Sequence, residues 1–356
     1  MAGEERILSG YKEQTGKKIL FGLLFCLMLV LVIVVSVVLG SYSLPISEIW
    51  SALFFKGSDV TSNIIWNIRI PRILTAIVAG AGLSVAGAAM QSILKNPLGS
   101  PFTLGISSAA GFGAAFSIGI LGAGTMHAST ANAAIIINNP YLTTFSAFFW
   151  SLVATMVILF LAKYKGASPE TMILTGVALG SLFTAGTTAI QYFSDDVRIA
   201  AIVFWTFGDL GRASLKDLGV MALFIIPAIF YFLVNAWNYN AMKYGDETAK
   251  SLGVNVDAIR IAGMLISSFI TAVAVSFVGI IGFVGLVVPH IVRKIIGGNE
   301  MYLIPFSCVL GALLLLLSDI AARTVIAPVV LPVGILTSFM GAPLFIYLVI
   351  KGREYW

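Results

Sequence analysis

Apolar runs of about twenty residues, separated by short polar connections, recur along the whole chain. A helix needs about 20 apolar residues to cross a hydrocarbon core about 30 Å thick. On that spacing the pattern predicts spans near residues 19–40, 73–94, 104–121, 141–162, 172–193, 218–237, 261–278, 282–296, 304–321 and 334–350. The uncharged stretch 261–292 is barely long enough for two helices, with a break expected at Gly279 and Gly282. One kinked helix there would leave nine spans. Lys12, Lys17 and Lys18 precede the first run. A cleaved leader starts the same way, but its apolar stretch is only about 7–15 residues, so the run reads as a retained span. Residues 43–55 read as a short amphipathic surface helix, with Ser47 as its cap and Ile46, Ile49, Trp50 and Leu53 on one side.

Small residues recur every fourth position in three of these runs. One stripe is Ala76, Gly80, Ser84 and Ala88. A second is Gly105, Ala109, Gly113 and Ser117, and a third Gly176, Gly180, Thr184 and Thr188. Such faces let helix backbones approach closely where lipid supplies no hydrophobic drive. Tight packing explains most of them, and a stripe can also line a pathway wide enough for a large substrate.

Composition sharpens the picture. Of 356 residues, 59% are hydrophobic and 10% charged, against about 25% charged in a soluble domain. No soluble core buries that much apolar surface. Soluble enzymes, nucleic-acid-binding domains and secreted disulfide scaffolds are thereby excluded. The net charge of +5 is explained by topology signals beside the spans. With ten spans and the N-terminus inside, 14 of the 21 Lys and Arg fall on inner segments and 7 on outer ones, which supports both termini being cytoplasmic.

Chemistry inside the spans is sparse. No Lys, Arg, Asp or Glu occurs from residue 96 to 162, and the one clear intramembrane candidate is Asp319, four residues before Arg323 on the same helical face. A local ion pair is the favoured reading over a proton relay. An ion-coupled secondary transporter is therefore the disfavoured alternative, and an intramembrane enzyme lacks a catalytic constellation. Cys26 and Cys308 lie apart in apolar runs, and His127 and His290 have no metal-ligand spacing. No GxxxxGK[ST] loop is present, so an ATP-driven process needs a separate ATPase.

The longest polar connection after the N-terminal segment, 238–260, contains Gly245-Asp246-Glu247-Thr248-Ala249-Lys250-Ser251-Leu252-Gly253. Its Glu-x-Ala-xxx-Gly pattern resembles the segment by which ABC importer permeases dock their ATPase. Three further blocks decide the resemblance. The first runs Arg69-Ile70-Pro71-Arg72, Gln91, Asn96-Pro97-Leu98-Gly99-Ser100-Pro101 and Leu104-Gly105-Ile106. The second is Gly279-Ile280-Ile281-Gly282-Phe283-Val284-Gly285, continued by Pro289-His290 and Arg293. The third is Ser318-Asp319-Ile320-Ala321-Ala322-Arg323, then Leu331-Pro332-Val333-Gly334 and Gly341-Ala342-Pro343. In this order they resemble the iron-siderophore, haem and cobalamin permease family.

That resemblance implies an all-α polytopic membrane protein of ten transmembrane helices with the type II ABC importer permease fold. It implies a cytoplasmic segment at 1–18, a permease domain at 19–350 and a cytoplasmic tail at 351–356. The expected partners are a second copy of the chain, two ATPase subunits and an extracytoplasmic binding protein, in the cell membrane. No cofactor is expected on this chain, since ATP and Mg²⁺ belong to the ATPase. The cargo would be a large metal chelate, with ferric siderophore leading and haem or cobalamin as alternatives. Arg69, Arg72 and Arg323 would dock the binding protein through acidic residues. Asp246, Glu247, Ala249, Leu252 and Gly253 would couple to the ATPase, and Asn96, Pro97 and Leu98 would form a cytoplasmic gate. Ser168-Pro169-Glu170 departs from the family's small hydroxyl pattern and is left unassigned. The family often has an acidic residue where this chain has Val330, and Asp-His-Arg where it has Asn299 and Glu300.

Overall fold

The computed structural model describes residues 2–125, 136–137, 139–164 and 169–351. The chain is a helical bundle: α1 (Ala2–Val38), α2 (Ile46–Leu53), α3 (Asp59–Asn63), α4 (Ile70–Ile93), α5 (Ile106–Gly119), α6 (Pro140–Tyr164), α7 (Pro169–Tyr192), α8 (Asp196–Thr206), α9 (Leu215–Val234), α10 (Ala236–Lys243), α11 (Asp246–Ser251), α12 (Val256–Val278), α13 (Val284–Ile296), α14 (Glu300–Thr324) and α15 (Val333–Lys351). A wider π turn, Ile64–Arg69, joins α3 to α4. Among the described residues the only strand pairing is Gly124–Thr125 with Ile136–Ile137, antiparallel.

Each of the ten apolar runs falls on a helix. Among the described residues, seven helical segments are long and apolar enough to cross a membrane, and those containing α4, α12 and α14 are the most buried inside the bundle. By contrast, α5 has 14 residues and α13 has 13, about 20 Å of helix each, less than a hydrocarbon core. The expected break is where the chain leaves α12 at Gly279, whose φ is +78°, and re-enters helix at Val284.

Helix α4 is the axis of the bundle, packed on α9, α12, α13 and α14. It can be buried almost all round because its sequence from Ala76 to Ala89 is mostly Ala, Gly and Ser. Gly80 lies against the Gly311 carbonyl of α14, and Gly311 against the Gly80 carbonyl in return. Gly87 lies against the Gly285 carbonyl of α13, and Gly285 against the Leu83 carbonyl of α4. The second stripe seats α5 between α6 and α7, where hydroxyls reinforce close packing. Ser146 Oγ donates to the Gly113 carbonyl at 2.6 Å and Ser151 Oγ to the Ile106 carbonyl at 3.3 Å.

Two elements differ from the sequence reading. The cap position of α2 is Pro45, not Ser47, and only Ile49 and Ala52 are buried while Ile46 and Trp50 are exposed. Helix α8 was not expected. Its Asp195 cap accepts from the Arg198 amide, and its Ala201, Ile202 and Trp205 bury against α5. The apolar 123–140 segment lies mostly outside the described residues, as do residues 165–168 and 352–356.

Gly87→Ala tests the α4 axis. The added methyl collides with backbone at Gly285, which cannot swing away, so a loss of about 1–3 kcal/mol is expected. It would be read as a lowered thermal midpoint of the detergent-solubilised protein, whereas Gly219→Ala, with open space around it, should be neutral.

Candidate functional site

The segment between α9 and α12 folds as two short helices. Gly245 and Gly253 bracket α11 with φ of +109° and +84°, a backbone that side chains with a Cβ rarely adopt. Asp246 and Glu247 occupy its first turn, where the helix dipole favours negative charge. Ala249 is fully buried, whereas the Glu247 side chain is 90% exposed and Leu252 is 60% exposed. The outward face of α11 is thus Glu247 and Leu252.

Asp246 does not face outward. Its Oδ1 accepts from Lys95 Nζ at 2.8 Å and its Oδ2 from Arg260 Nη2 at 2.8 Å. Partial desolvation raises its pKa, but the hydrogen bonds and charges of Arg260 and Lys95 outweigh that and hold the carboxyl below the ordinary aspartate range. Because the folded-state pKa is lowered, the pairing is complete above the ordinary value near 4 and is lost only as pH falls through the lowered one.

A second carboxylate lies behind the first. Glu300, the first residue of α14 after the Asn299 cap, is fully buried. Its Oε1 accepts from Ser92 Oγ at 2.7 Å, pairs with Lys243 Nζ at 2.5 Å and lies 3.7 Å from Arg293 Nη2. Arg293 also donates to Gln91, whose amide nitrogen donates to the Leu286 carbonyl at 3.1 Å. The last turn of α4 is therefore held from α10, α13 and α14 at once. A cavity of about 720 Å³ opens beside this hub, with Lys95, Lys243, Tyr244 and Leu252 on its wall.

The turn after α4 begins with Lys95 at φ +48°. Asn96 Oδ1 then accepts from the Leu98 amide at 2.9 Å, and the Asn96 carbonyl from the Gly99 amide at 3.0 Å. Asn96 thus closes an Asx turn ahead of Pro97 and leaves Leu98 exposed.

At the other end of α4 the three arginines are turned inward, with Arg69 4%, Arg72 8% and Arg323 4% exposed. Arg72 Nε donates to Asp319 at 2.7 Å, and its Nη2 lies 3.3 Å from Asp209. Arg323 Nε lies 2.9 Å from the other Asp319 oxygen. Its remaining nitrogens donate to Ser36 Oγ at 2.7 Å and to the Leu39 carbonyl at 2.9 Å. Arg69 donates to the carbonyls of Val37, Val38 and Tyr42 at 2.5, 2.9 and 2.5 Å. Together they satisfy carbonyls at and beyond the C-terminus of α1, which otherwise go unpaired at a helix end. In this conformation each guanidinium is already engaged inside the chain. The expected Asp319–Arg323 pair is present, enlarged by Arg72.

The third small-residue stripe is open only in its second half: Gly176 is buried against Leu104 and Gly180 lies against Gly105, whereas Thr184 and Thr188 are exposed. Gly176, Gly180, Thr184 and Thr188 of α7 line a groove of about 690 Å³ with Phe102 and Ser108. A second groove, about 550 Å³, is bounded by Phe102, Phe207, Ile280, Ser338 and Phe339. No group of three or more potential metal ligands occurs among the described residues, and His290 is buried.

The FecCD transport family matches residues 28–351. The chain belongs to that family. A protein of Methanocaldococcus jannaschii named as an ABC transporter permease is 54% identical over 341 residues, 96% of this chain and 97% of the other. The hemin transport system permease protein of Yersinia pestis is 35% identical over 344 residues, covering 95% and 97%. A solved metal-chelate type ABC transporter in an inward-facing conformation has a TM-score of 0.80 and 32% identity, covering 94% of this chain and 99% of that one. This FecCD chain is accordingly a multi-pass cell-membrane protein and a transport component of the ABC permease kind.

Sequence reading missed Glu300, Lys95, Arg260 and Asp209. The one local signal for Glu300 was an Asn cap followed by an acid at the head of an apolar run.

Removing a buried carboxylate strands its cations. Asp319→Ala should cost about 3–5 kcal/mol, read as a large drop in thermal midpoint, while Lys250→Ala at the exposed Glu247 pair should cost under about 1 kcal/mol. For Asp246→Asn, the midpoint difference from the parent should hold constant from pH 8 to about 5 and close only below about 4.

Proposed function

We propose that this chain is the permease subunit of an ATP-driven importer that carries a metal chelate inward, handed over by an extracytoplasmic binding protein. The observation that carries the reading is α11, a short surface helix with an outward face of Glu247 and Leu252 and an inward charge wired to the end of α4. An ATPase seated on Glu247, Leu252 and Gly253 would move that helix, with Asp246 and Ala249 fixing it to the bundle. ATP and Mg²⁺ belong to that partner. The hemin permease relative and the metal-chelate transporter support a chelate cargo. A ferric siderophore, haem or cobalamin fits the uncharged Gly, Ser and Thr lining of the α7 groove.

The working unit in this reading is a dimer of two copies. Leu174, Val177 and Leu182 on α7 and Phe339, Met340 and Ile346 on α15 are all at least half exposed, and a second copy would cover them while leaving the two grooves as a shared pathway. Ten spans with both termini inside agree with the two-to-one excess of inner cations. Asn96, Pro97 and Leu98 would close the inner end of the pathway. Arg69, Arg72 and Arg323 would organise the outer surface on which the binding protein lands, with Arg72 reaching it through half-exposed Asp209.

Solubilisation in mild detergent from the native membrane tests this. A stoichiometric partner with a phosphate-binding loop should copurify, and Glu247→Arg with Leu252→Asp, both exposed positions, should reduce it by about tenfold, a loss of about 1.4 kcal/mol in binding, without unfolding the permease. A chain that runs alone and transports in ATP-free vesicles would overturn the reading in favour of ion coupling.

A further inference from the structure

The two charge hubs at the inner end are not alike. Glu300 is wholly enclosed and receives donors from α4, α10 and α13, so the groups around it move as one body. The Asp246 hub is open to water on one side, with the Lys95 side chain 39% and the Asp246 side chain 35% exposed. Ion pairs of that exposure exchange readily. Asp246 is held to α12 by Arg260, whose side chain is only 5% exposed, so the arm able to let go is the one to Lys95.

Lys95 stands at a particular place in the chain. It immediately precedes Asn96 and follows the last turn of α4, and its φ of +48° is the bend that turns the backbone out of the helix. Among the described residues, Asp246 is the one residue of α11 that makes a hydrogen bond or ion pair to the 95–98 turn. We infer that Lys95 is the positioning residue through which movement of α11 reaches the Asn96-Pro97-Leu98 turn, its contact with Asp246 acting as a releasable latch against the fixed Glu300 hub. This rests on the proposed permease reading, and it names the residue that would join the ATPase-facing helix to the gate. When α11 is drawn outward, either Lys95 follows and shifts the backbone at Asn96, or the contact breaks and the turn relaxes. In both cases the turn senses α11 through one side chain. The strained bend at Lys95 makes that backbone a place where a small pull changes direction.

The test uses the permease with its copurified ATPase in lipid nanodiscs. Cys26 and Cys308 are first replaced by alanine, and a spin label is placed at Leu98→Cys, an exposed position in the turn. ATP with vanadate should change the mobility of the label in the parent. In Lys95→Met the ATPase should stay bound, because Lys95 lies behind the outward face of α11, while the nucleotide-dependent change falls by about fivefold or more. Lys95→Arg should restore it. An equal change in Lys95→Met and the parent would overturn the assignment to Lys95. So would loss of the ATPase in Lys95→Met, which would make Lys95 part of the docking surface. A parent whose label ignores nucleotide would instead overturn the gate assignment on which the inference stands.

Discussion

Inside a bilayer, helices gain nothing by hiding apolar surface from one another, so cohesion rests on how closely their backbones meet. Here that constraint falls most heavily on α4. The glycines of α4 meet Gly311 of α14 and Gly285 of α13 backbone to backbone. Neither contact admits a side chain. Because α4 is fixed this tightly at its middle, its two ends become rigid posts on which charged groups can be set. Arg72 stands near one end and Gln91, Ser92 and Lys95 at the other.

Each post meets a fully buried carboxylate at an opposite end of α14. Asp319 gathers Arg72 from α4 and Arg323 from its own helix, and Arg323 continues to the end of α1. Glu300 gathers Ser92, Lys243 and Arg293. Buried ion pairs add little net stability, but removing one partner is severe, so they specify which ends belong together. Asp246 follows a different rule. It is partly open to water, and because Arg260 and Lys95 hold its carboxyl below the ordinary aspartate range its pairing persists well below neutral pH. The bundle thus has two fixed charge centres and one that can be exchanged.

Much of this was legible in the chain. Apolar runs placed all ten long segments on helices, and Gly279 with Gly282 marked the break between α12 and α13, because helix length and glycine backbone freedom are local properties. The α11 segment was legible as a Glu-x-Ala-xxx-Gly pattern, not as a helix bracketed by two glycines of positive φ. The orientation of the arginines was not. Beside apolar runs they read as surface charges, and only the end of α1, more than 25 residues away for Arg69 and more than 280 for Arg323, supplies the carbonyls that draw them in. The role of Glu300 as a hub was hidden for a related reason: its partners come from α4, α10 and α13, and spacing cannot reveal a contact made by tertiary packing. The small-residue face of α7 stands between these cases, since its spacing at every fourth position was plain but not which half packs on Leu104 and Gly105 and which half, Thr184 and Thr188, lines a groove.

The account turns on that face lining a watery pathway, and cysteine accessibility in intact membranes tests it most directly. In a background lacking Cys26 and Cys308, Thr184→Cys in the α7 groove and Leu27→Cys on the outer side of α1 would each be offered a charged, water-soluble maleimide. The account predicts rapid labelling at position 184 and none at position 27. Labelling at 184 only by a lipid-soluble reagent would place the groove against the bilayer and contradict it.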